Sequence, residues 1–345
     1  MTPKISVLVP LYNRKQYAAA CINSVLNQTF QDFEIIIRDD FSTDGVFEFV
    51  RENFSDGRIK LFRNKKNIGE LQTLNLLAKD AQGKYLTILH NDDLYLPNAL
   101  QILYDTAEKF GADAVHSANF LTSDSNGVIE KNAPLHKISF DRVPVQKIEV
   151  LQLEPLQKFN EWFEGRIFQD LQYNIFNRKF ILDEKIFDKV GTWNLMEISL
   201  HWIMAAKILV KTPEIFYIRR DNPYSQTNTQ FKLENEIVKR IEHFRRLDNF
   251  ISQFELFRDN DELKYKIKAR IFSYFENLNF DKLPSYGDAK FASLYNSIEG
   301  TFRKYFGDDA IYLAMMYHWA HLMHFNQNKF QDTLQNCLKI LGKNI

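Results

Sequence analysis

The sequence predicts an α/β fold with a mostly parallel sheet and helices on both faces, followed by a helical C-terminal domain. Residues 1–115 alternate short apolar runs with amphipathic helical patterns, which is typical of a parallel sheet whose strands are joined by helices. From about residue 232, bulky apolar residues recur every three or four positions, as they do in long helices. We therefore expect two domains, residues 1–228 and residues 229–345.

Four apolar runs in the first domain have the composition of buried strands, which are continuously hydrophobic when both faces of a sheet are covered. They are Ile5–Pro10, Glu34–Arg38, Ile59–Phe62 and Tyr85–Leu89. The segments between and after them have the apolar spacing of helices, which we predict over Lys15–Gln28, Asp44–Asn53, Gly69–Ala81 and Pro97–Phe110. The last of these begins with Pro at a first-turn position, where a missing N–H is tolerated.

The chain is less regular between residues 116 and 190. Beyond this region we predict a helix over residues 193–210 and a further strand over Glu214–Arg219. An apolar stripe from Leu233 to Phe254 then predicts a long amphipathic helix. More helices are predicted over Leu263–Leu278, Phe291–Tyr305 and Ala310–Leu341.

Composition limits the classes of function. Lys plus Arg equals Asp plus Glu, at 44 each, and this neutrality argues against general nucleic-acid binding, which needs a basic field. The two cysteines, Cys21 and Cys337, are far apart, so we expect a reducing compartment and no disulfide framework. We find no signal peptide and no stretch of about 20 apolar residues. We therefore expect a cytoplasmic protein that is soluble or peripheral at a membrane.

Polar clusters stand directly after three of the predicted strands. They are Tyr12-Asn13-Arg14, Asp39-Asp40-Phe41-Ser42 and His90-Asn91-Asp92-Asp93. Ligands of open α/β sheets bind beyond the carboxyl ends of the strands, so we expect these clusters to share one cleft. Carboxylates there can bind a hard divalent cation together with ligand phosphates, or accept hydrogen bonds from a ribose or a base. The clusters therefore suit a metal-chelated nucleoside diphosphate. Neither glycine-rich phosphate-binding pattern occurs in the chain, which argues against an NAD enzyme or a P-loop NTPase.

In their order and spacing, these motifs resemble those of the family 2 glycosyltransferases. The resemblance is strong over residues 1–115 and thinner to about residue 228. The segments that carry it are Ser6–Asn13, Ser24–Phe30, Glu34–Asp44, Asn67–Gly69, Gly83–Tyr85 and Asn91–Pro97. Each motif alone is weak, whereas six in the right order are highly specific. The resemblance implies a GT-A fold, which is Rossmann-like, and transfer of a sugar from a nucleoside diphosphate with inversion.

The resemblance also implies roles for individual residues. Asp39 would contact the base, for which the family implies uracil, and Asp40 would lie close by. The remaining residues that would bind the nucleotide are Pro10, Tyr12, Asn13, Asn67, Gly69 and Asp92.

A divalent cation, Mg²⁺ or Mn²⁺, is implied as well. Its ligands would be Asp92, Asp93 and Asp221. The family often has an Asp where this chain has His90, so the metal site would rest mainly on Asp92 and Asp93. Asp221 stands near the place of a family His that can assist the metal, and it could do the same as an oxygen ligand.

The catalytic base is matched less closely. Family members place a Glu-Asp pair at the start of a helix that also carries a Trp, and here Glu197, Ile198 and Trp202 occupy these places. Ile198 cannot accept a proton, so Glu197 is the predicted general base. His201, one helical turn further along the same face, is the second candidate, and Asp188 is the third.

The resemblance therefore implies a hexosyl- or N-acetylhexosaminyltransferase of polysaccharide biosynthesis, which transfers a sugar to a hydroxyl of a glycan or a lipid-linked acceptor. Two alternatives stay open. A catalytically degenerate protein would bind a nucleotide sugar or a glycan without turnover, and Ile198 and His90 motivate this hypothesis. A nucleotidyltransferase would need a glycine-rich loop near the first strand, where Arg14 and Lys15 are present but the glycines are absent.

The C-terminal domain is predicted to be accessory rather than catalytic. Its apolar stripe must be buried against another surface, and packing on the catalytic domain is the default interpretation. Self-association into a homo-oligomer and docking to the inner face of the cell membrane are the other two. Four basic residues could meet anionic headgroups there: Lys239, Arg240, Arg245 and Arg246.

Overall fold

The computed structural model describes residues 2–124, 136–137, 146–163, 166–167, 170–188, 195–220, 254–260 and 263–264. Contacts between residues divide the chain into two compact units, Met1–Ser225 and Gln226–Ile345. The predicted roles of a catalytic domain, residues 1–228, and an accessory domain stay predictions, and most of the predicted C-terminal helices lie outside the described residues. In the second unit the structure describes a short helix, Glu255–Arg258. Among all the described residues, no helix is both long and apolar enough to cross a membrane.

The described residues of the first unit form an eight-stranded sheet and a smaller, four-stranded sheet. The strands, in chain order, are β1 (Ile5–Leu11), β2 (Phe33–Asp39), β3 (Ile59–Arg63), β4 (Tyr85–Ile88), β5 (Leu94–Tyr95), β6 (Ala114–Ser117), β7 (Asn119–Ser123), β8 (His136–Lys137), β9 (Glu149–Leu151), β10 (Asn174–Asn177), β11 (Leu209–Thr212) and β12 (Tyr217–Arg220). The large sheet has the order β3-β2-β1-β4-β10-β6-β11-β9, and the small sheet has the order β5-β12-β7-β8. In the large sheet the pairs β2–β3, β1–β2, β1–β4 and β6–β11 are parallel, whereas β10 and β9 run antiparallel to their neighbours. The predicted mostly parallel sheet is confirmed.

The helices of this unit are α1 (Lys15–Leu26), α2 (Val46–Asn53), α3 (Glu70–Asp80), α4 (Ala99–Phe110), α5 (Pro155–Phe163), α6 (Arg178–Asp183) and α7 (Leu195–Ala205). Odd-numbered residues of β1, such as Val7, share one hydrophobic core with buried residues of α1, α2 and α4. Side chains alternate across a strand, so the even-numbered Leu8 points to the other face, where α3 packs against β1 and β2. Helices therefore cover both faces. Each strand and helix predicted up to residue 115 is present, with its ends shifted by one or two residues.

The loop between α3 and β4 approaches β1 closely, at the end of the strands opposite to the polar clusters. The N–H of Gly83 donates to Ser6 Oγ at 2.8 Å, and Ser6 Oγ donates to Glu34 Oε1 at 2.5 Å. A Cβ at position 83 would lie 2.5 Å from the backbone nitrogen of Ser6, so this approach requires glycine. The contact fixes β4 beside β1 and gives the Gly83 motif a structural reason.

The helix predicted over residues 193–210 is too long. α7 ends at Ala205, and Leu209–Thr212 forms β11, parallel to β6. Asp113 Oδ2 accepts hydrogen bonds at 2.7 and 3.0 Å from the backbone N–H groups of the two residues before the strand, Lys207 and Ile208. These donors are therefore satisfied outside a helix. A short apolar run fits a helix and a strand equally well, so periodicity could not place this boundary.

The region that the sequence leaves irregular contains β10, which lies between β4 and β6 and runs antiparallel to both. Asn174, at its start, has its Oδ1 at 2.9 Å from Nδ1 of the buried His116 on β6. Burial lowers the pKa of His116 to about 4, so this histidine is neutral at pH 7 and serves the sheet core.

The small sheet frames the edge at which the polar clusters lie. β5 directly follows the His90–Asp93 cluster and pairs antiparallel with β12, which in turn pairs parallel with β7. The strand predicted over Glu214–Arg219 is thus present as Tyr217–Arg220, shifted toward the C-terminus. This places a strand from late in the chain beside the end of β4.

Candidate active site

Three loops at the carboxyl ends of β1, β2 and β4 are held together by Asn13. Its backbone N–H donates to Ser42 Oγ at 2.8 Å, and its Oδ1 accepts from the N–H of Thr43 at 3.0 Å. Its carbonyl oxygen accepts from Asn91 Nδ2 at 2.9 Å. Asn13 has a left-handed φ of 55°, which Asn adopts more readily than most residues. The three predicted polar clusters therefore meet at one edge of the sheet.

Asp39 is the last residue of β2, and its side chain is fully buried. Its carboxylate accepts from the N–H of Ser42 at 3.1 and 3.3 Å, and Arg63 Nε lies 3.1 Å from its Oδ2. Burial raises the pKa of this carboxyl group, although the Ser42 hydrogen bonds and the Arg63 charge oppose the rise. A carboxylate has about four lone-pair sites, so these contacts leave Asp39 with capacity for a further hydrogen-bond donor.

The neighbouring Asp40 supports the scaffold of the site. Its Oδ1 accepts from Asn64 Nδ2 at 2.9 Å and from the N–H of Ile68 at 2.8 Å, and its Oδ2 accepts from the N–H of Gly69 at 2.8 Å. Asp40 thereby fixes the loop that contains Asn67 and Gly69, both of which are predicted to bind the nucleotide. Its own nucleotide contact stays a prediction, whereas its hydrogen bonds assign it a structural task.

Asp92 forms an ion pair with a residue of the first loop. Arg14 Nη1 lies 2.7 Å from Asp92 Oδ2, and the two side chains are 23% and 12% exposed. Arg14 also has a left-handed φ, of 63°. Arg14 is not among the predicted nucleotide-binding residues, although it directly follows Asn13. The pair places a cation and an anion side by side at the edge of the sheet.

Asp93 connects the large sheet with the small one. Tyr217 Oη donates to Asp93 Oδ2 at 2.5 Å, and the backbone N–H of Arg220 donates to its Oδ1 at 2.8 Å. Burial, followed by the charge of the adjacent Asp92, raises the pKa of Asp93 to about 6. The position of this carboxylate therefore depends on β12.

His90 supplies a positive charge beside these carboxylates. Its Nε2 lies 2.8 Å from Glu70 Oε1, and its Nδ1 lies 4.0 Å from Asp93 Oδ2. Burial alone would lower the pKa of His90, but Glu70 and then the two aspartates raise it to about 9. Asp170, in the loop before β10, interacts with the charge of His90, and burial raises the pKa of Asp170. Neither Glu70 nor Asp170 is predicted from the sequence, because neither directly follows a predicted strand.

Asp92 and Asp93 have the donor chemistry for a divalent cation. Burial and the Asp92 charge both disfavour ionisation of Asp93, and a bound cation would relieve that repulsion. Mg²⁺ commonly takes one or two carboxylates and completes its shell with water and substrate phosphates, which these residues fit. Within the part of the chain that the structure describes, no group of three or more His, Cys, Asp or Glu side chains is arranged to hold a metal ion. Asp221, the third predicted ligand, lies outside the described residues.

The predicted base lies on α7. Glu197 is buried there, and His201, one turn further on, is partly buried. α7 packs against α5, where Trp162 Nε1 donates to Ser199 Oγ at 2.9 Å. Asp188, the third candidate, is exposed on the surface and pairs with Lys79 Nζ at 2.9 Å. The assignment of Glu197 or His201 as the base stays a prediction.

Two aromatic side chains stand at the mouth of the site. Tyr12, after β1, is 41% exposed, and Phe41, after β2, is 46% exposed. Pro10, by contrast, is buried within β1, where it pairs with Arg38 of β2. The nucleotide contacts predicted for Pro10 and Tyr12 therefore involve two different environments, one inside the strand and one on the open loop.

Comparison with known proteins gives one family. A model of the family described as "Glycosyl transferase family 2" matches residues 6–201, which is more than half of the chain. The chain is 26% identical to glycosyltransferase GlyG of Streptococcus pneumoniae serotype 4 over 241 residues, or 69% of this chain and 78% of that protein. It is 30% identical to the Escherichia coli protein WfgD, named as a UDP-Glc:alpha-D-GlcNAc-diphosphoundecaprenol beta-1,3-glucosyltransferase, over 40% of this chain and 54% of that protein. An uncharacterized glycosyltransferase of Rickettsia conorii is 39% identical over 37% of this chain, which spans only 22% of that protein.

Solved structures agree on the fold. The crystal structure of S. aureus TarS 1-349 in complex with UDP-GlcNAc matches with a TM-score of 0.64 and 16% sequence identity, over 99% of this chain and 92% of that chain. The crystal structure of S. aureus TarS matches with a TM-score of 0.61, over 97% of this chain and 55% of that chain. The predicted GT-A fold is confirmed by these matches.

Proposed function

The chain belongs to glycosyl transferase family 2 and is a glycosyltransferase, and from this premise we propose that it transfers a sugar from uridine diphosphate (UDP) to an acceptor hydroxyl with inversion. The observation that carries the proposal is the junction at Asn13, which brings the Asp39 and Asp92 loops to one edge of the sheet. Both WfgD and the TarS complex are named with a UDP sugar, which supports uridine as the donor nucleoside.

Asp39 would bind the base and Asp92 the ribose and the diphosphate. The N3–H of uracil is a donor, and a buried carboxylate at a strand end is a fitting acceptor for it. Arg14, next to Asp92, carries a charge that suits a diphosphate oxygen. Tyr12, Asn13, Asn67 and Gly69 would complete the nucleotide site as predicted from the sequence.

Asp92 and Asp93 would hold the cation, Mg²⁺ or Mn²⁺, with Asp221 as the predicted third ligand. When bound, the cation would supply positive charge to the departing diphosphate. Other residues of the chain orient these two carboxylates. Tyr217 and the N–H of Arg220 orient Asp93, and Arg14 orients Asp92.

Glu197 would act as the general base. The acceptor hydroxyl loses its proton to the Glu197 carboxylate while its oxygen bonds to the anomeric carbon, and the bond from that carbon to the UDP oxygen breaks. Glu197→Gln keeps the size of the side chain and removes its basicity, so we expect a fall in kcat of about 10²–10⁴-fold with unchanged UDP affinity. If this variant were unimpaired and His201→Gln were inactive, the base would be His201.

The acceptor would be a glycan or a lipid-linked sugar of polysaccharide biosynthesis, and the transferred sugar a hexose or an N-acetylhexosamine. The name of WfgD states a diphosphoundecaprenol-linked acceptor, which supports this class. An acceptor of this kind would place the enzyme in the cytoplasm at the inner face of the membrane. The unit Gln226–Ile345 would then provide docking to the membrane, which sedimentation with anionic liposomes at low and high salt tests, or self-association, which light scattering tests.

The donor is tested by calorimetry with the full chain. We expect UDP to bind in the presence of Mn²⁺ or Mg²⁺ and to raise the thermal midpoint, because a ligand of the native state adds stability by mass action. GDP serves as the comparison ligand under the same conditions. Tight binding of GDP without binding of UDP would contradict the proposal that the donor nucleoside is uridine.

A further inference from the structure

Phe41 has a backbone conformation that its residue type disfavours. Its φ of 63° lies in the left-handed region, where a Cβ crowds the backbone and a bulky side chain is a genuine outlier. Asn13, in the adjoining loop, shares the conformation but tolerates it better. Backbone strain of this kind persists where the surrounding structure enforces it, and it gathers at ligand sites.

Core packing does not account for the strained conformation. The Phe41 side chain keeps 46% of its surface exposed, so its ring is presented to solvent at the mouth of the site. Hydrogen bonds of the next residue hold the conformation. The N–H of Ser42 donates to Asp39, and Arg63 Nη2 donates to the carbonyl oxygen of Ser42 at 2.9 Å. The result is an exposed aromatic ring held two residues from Asp39.

Arg63 also contacts the ring itself. Its guanidinium carbon lies 5.8 Å from the centroid of the Phe41 ring, within the range of a cation–π contact, while its Nε binds Asp39. One side chain therefore positions both the carboxylate and the ring. A ligand group that hydrogen-bonds to Asp39 would lie within reach of an aromatic surface whose direction is already set.

We propose that the ring of Phe41 stacks on the nucleobase of the donor and so contributes to nucleotide affinity. This inference rests on the proposed function, in which Asp39 binds the edge of that base. A base has a hydrogen-bonding edge and an aromatic face, and the strand-end loop of β2 offers a partner for each. Stacking of a base on an aromatic side chain is commonly worth about tenfold in affinity.

The test uses UDP and 5,6-dihydrouridine 5′-diphosphate, which keeps the N3–H of the base but lacks its planar aromatic ring. Calorimetry on the full chain is expected to show UDP binding more tightly than the dihydro compound. Phe41→Gly and Phe41→Asn should weaken UDP binding about tenfold and bring the two ligands to equal affinity. Phe41→Tyr should keep the wild-type preference.

The same variants serve as the control for a purely structural role of the ring, which would lower the thermal midpoint when the ring is removed. Gly and Asn both accept a left-handed φ, so we expect neither variant to lower the midpoint. Val150→Ala, at a similarly exposed residue on the edge strand β9, is the matched control and should leave both affinities unchanged. The inference is overturned if Phe41→Gly binds UDP as tightly as the wild type, or if it loses both ligands equally. Wild-type protein that binds no nucleoside diphosphate would instead remove the proposed function, and this inference with it.

Discussion

The two aspartate pairs of the site, Asp39-Asp40 after β2 and Asp92-Asp93 after β4, share one arrangement. In each pair the first aspartate contacts an arginine side chain. In each pair the second aspartate accepts backbone N–H groups from another part of the chain. The first carboxylate of each pair therefore has an arginine as a charged partner, whereas the second anchors a more distant segment of backbone.

The pairs differ in how far their structural contacts reach. Asp40 fixes the loop before α3, which lies fewer than thirty residues further along the chain. Asp93 binds Tyr217 and Arg220, which arrive on a strand of the second sheet from more than a hundred residues away. The end of the site at β2 is therefore built from local contacts, whereas the end at β4 depends on contacts with β12.

The largest expected effect comes from the second pair. Asp92→Ala and Asp93→Ala should each lower kcat by about a hundredfold or more, because both remove charge from the site of the leaving group. Asp93→Ala should also lower the free energy of unfolding more than Asp92→Ala does, because Tyr217 and the N–H of Arg220 both lose their acceptor. Steady-state kinetics and urea unfolding on the same samples separate the two effects.

Asp105→Ala, at an exposed aspartate on α4 that pairs only with Gln101 among the contacts described, serves as the control for charge removal. It should leave both quantities unchanged. Full activity in EDTA, or a fully active Asp92→Ala variant, would contradict the role assigned to this pair and reduce both carboxylates to residues that stabilise the loop.

The sequence predicts the strands and helices up to residue 115 well and those of the following region poorly, for a physical reason. β1 to β4 are continuous apolar runs joined by amphipathic helices, so local pattern and tertiary structure agree. β10 is a four-residue strand that begins and ends with Asn, and it is stabilised by pairing with β4 and β6 rather than by its own pattern. Short strands that depend on long-range pairing leave little local signal.

The site follows the same division. The convergence of the Asp39 and Asp92 loops is predictable because parallel strands end at the same edge of a sheet. The hydrogen bonds of Asp93 cannot be predicted in this way, because their donors lie on β12, far along the chain. Glu70 is likewise missed, since its contact with His90 joins the start of a helix to a distant loop. The motifs thus predict where the loops of the candidate site converge, whereas the residues that orient its carboxylates come from distant parts of the chain.

An effect of intermediate size, on the free energy of unfolding, should distinguish Asp40 from Asp39. Asp40→Ala should lower the free energy of unfolding by about 2–4 kcal/mol, because the N–H groups of Ile68 and Gly69 and the amide of Asn64 all lose their acceptor. Asp39→Ala should cost about 1 kcal/mol, since the raised pKa of Asp39 indicates that its buried charge is itself disfavoured. Urea unfolding measures both, and equal losses would argue against this difference between the two aspartates.

The smallest effect concerns the two arginines. Arg14→Gln should lower the free energy of unfolding by about 1 kcal/mol or less, because the Asp92 side chain keeps 12% of its surface exposed, so that water can replace the lost partner. Arg63→Gln should cost more, because Asp39 is fully buried and would keep its charge without the guanidinium that opposes its raised pKa. Both contributions should shrink at high salt, because both arginine side chains are partly exposed and exposed charges are screened. Urea unfolding at low and high NaCl measures both differences. If Arg14→Gln cost as much as Arg63→Gln at either salt concentration, burial would not be what separates the two pairs, and the β4 loop would be as dependent on its arginine as the β2 loop.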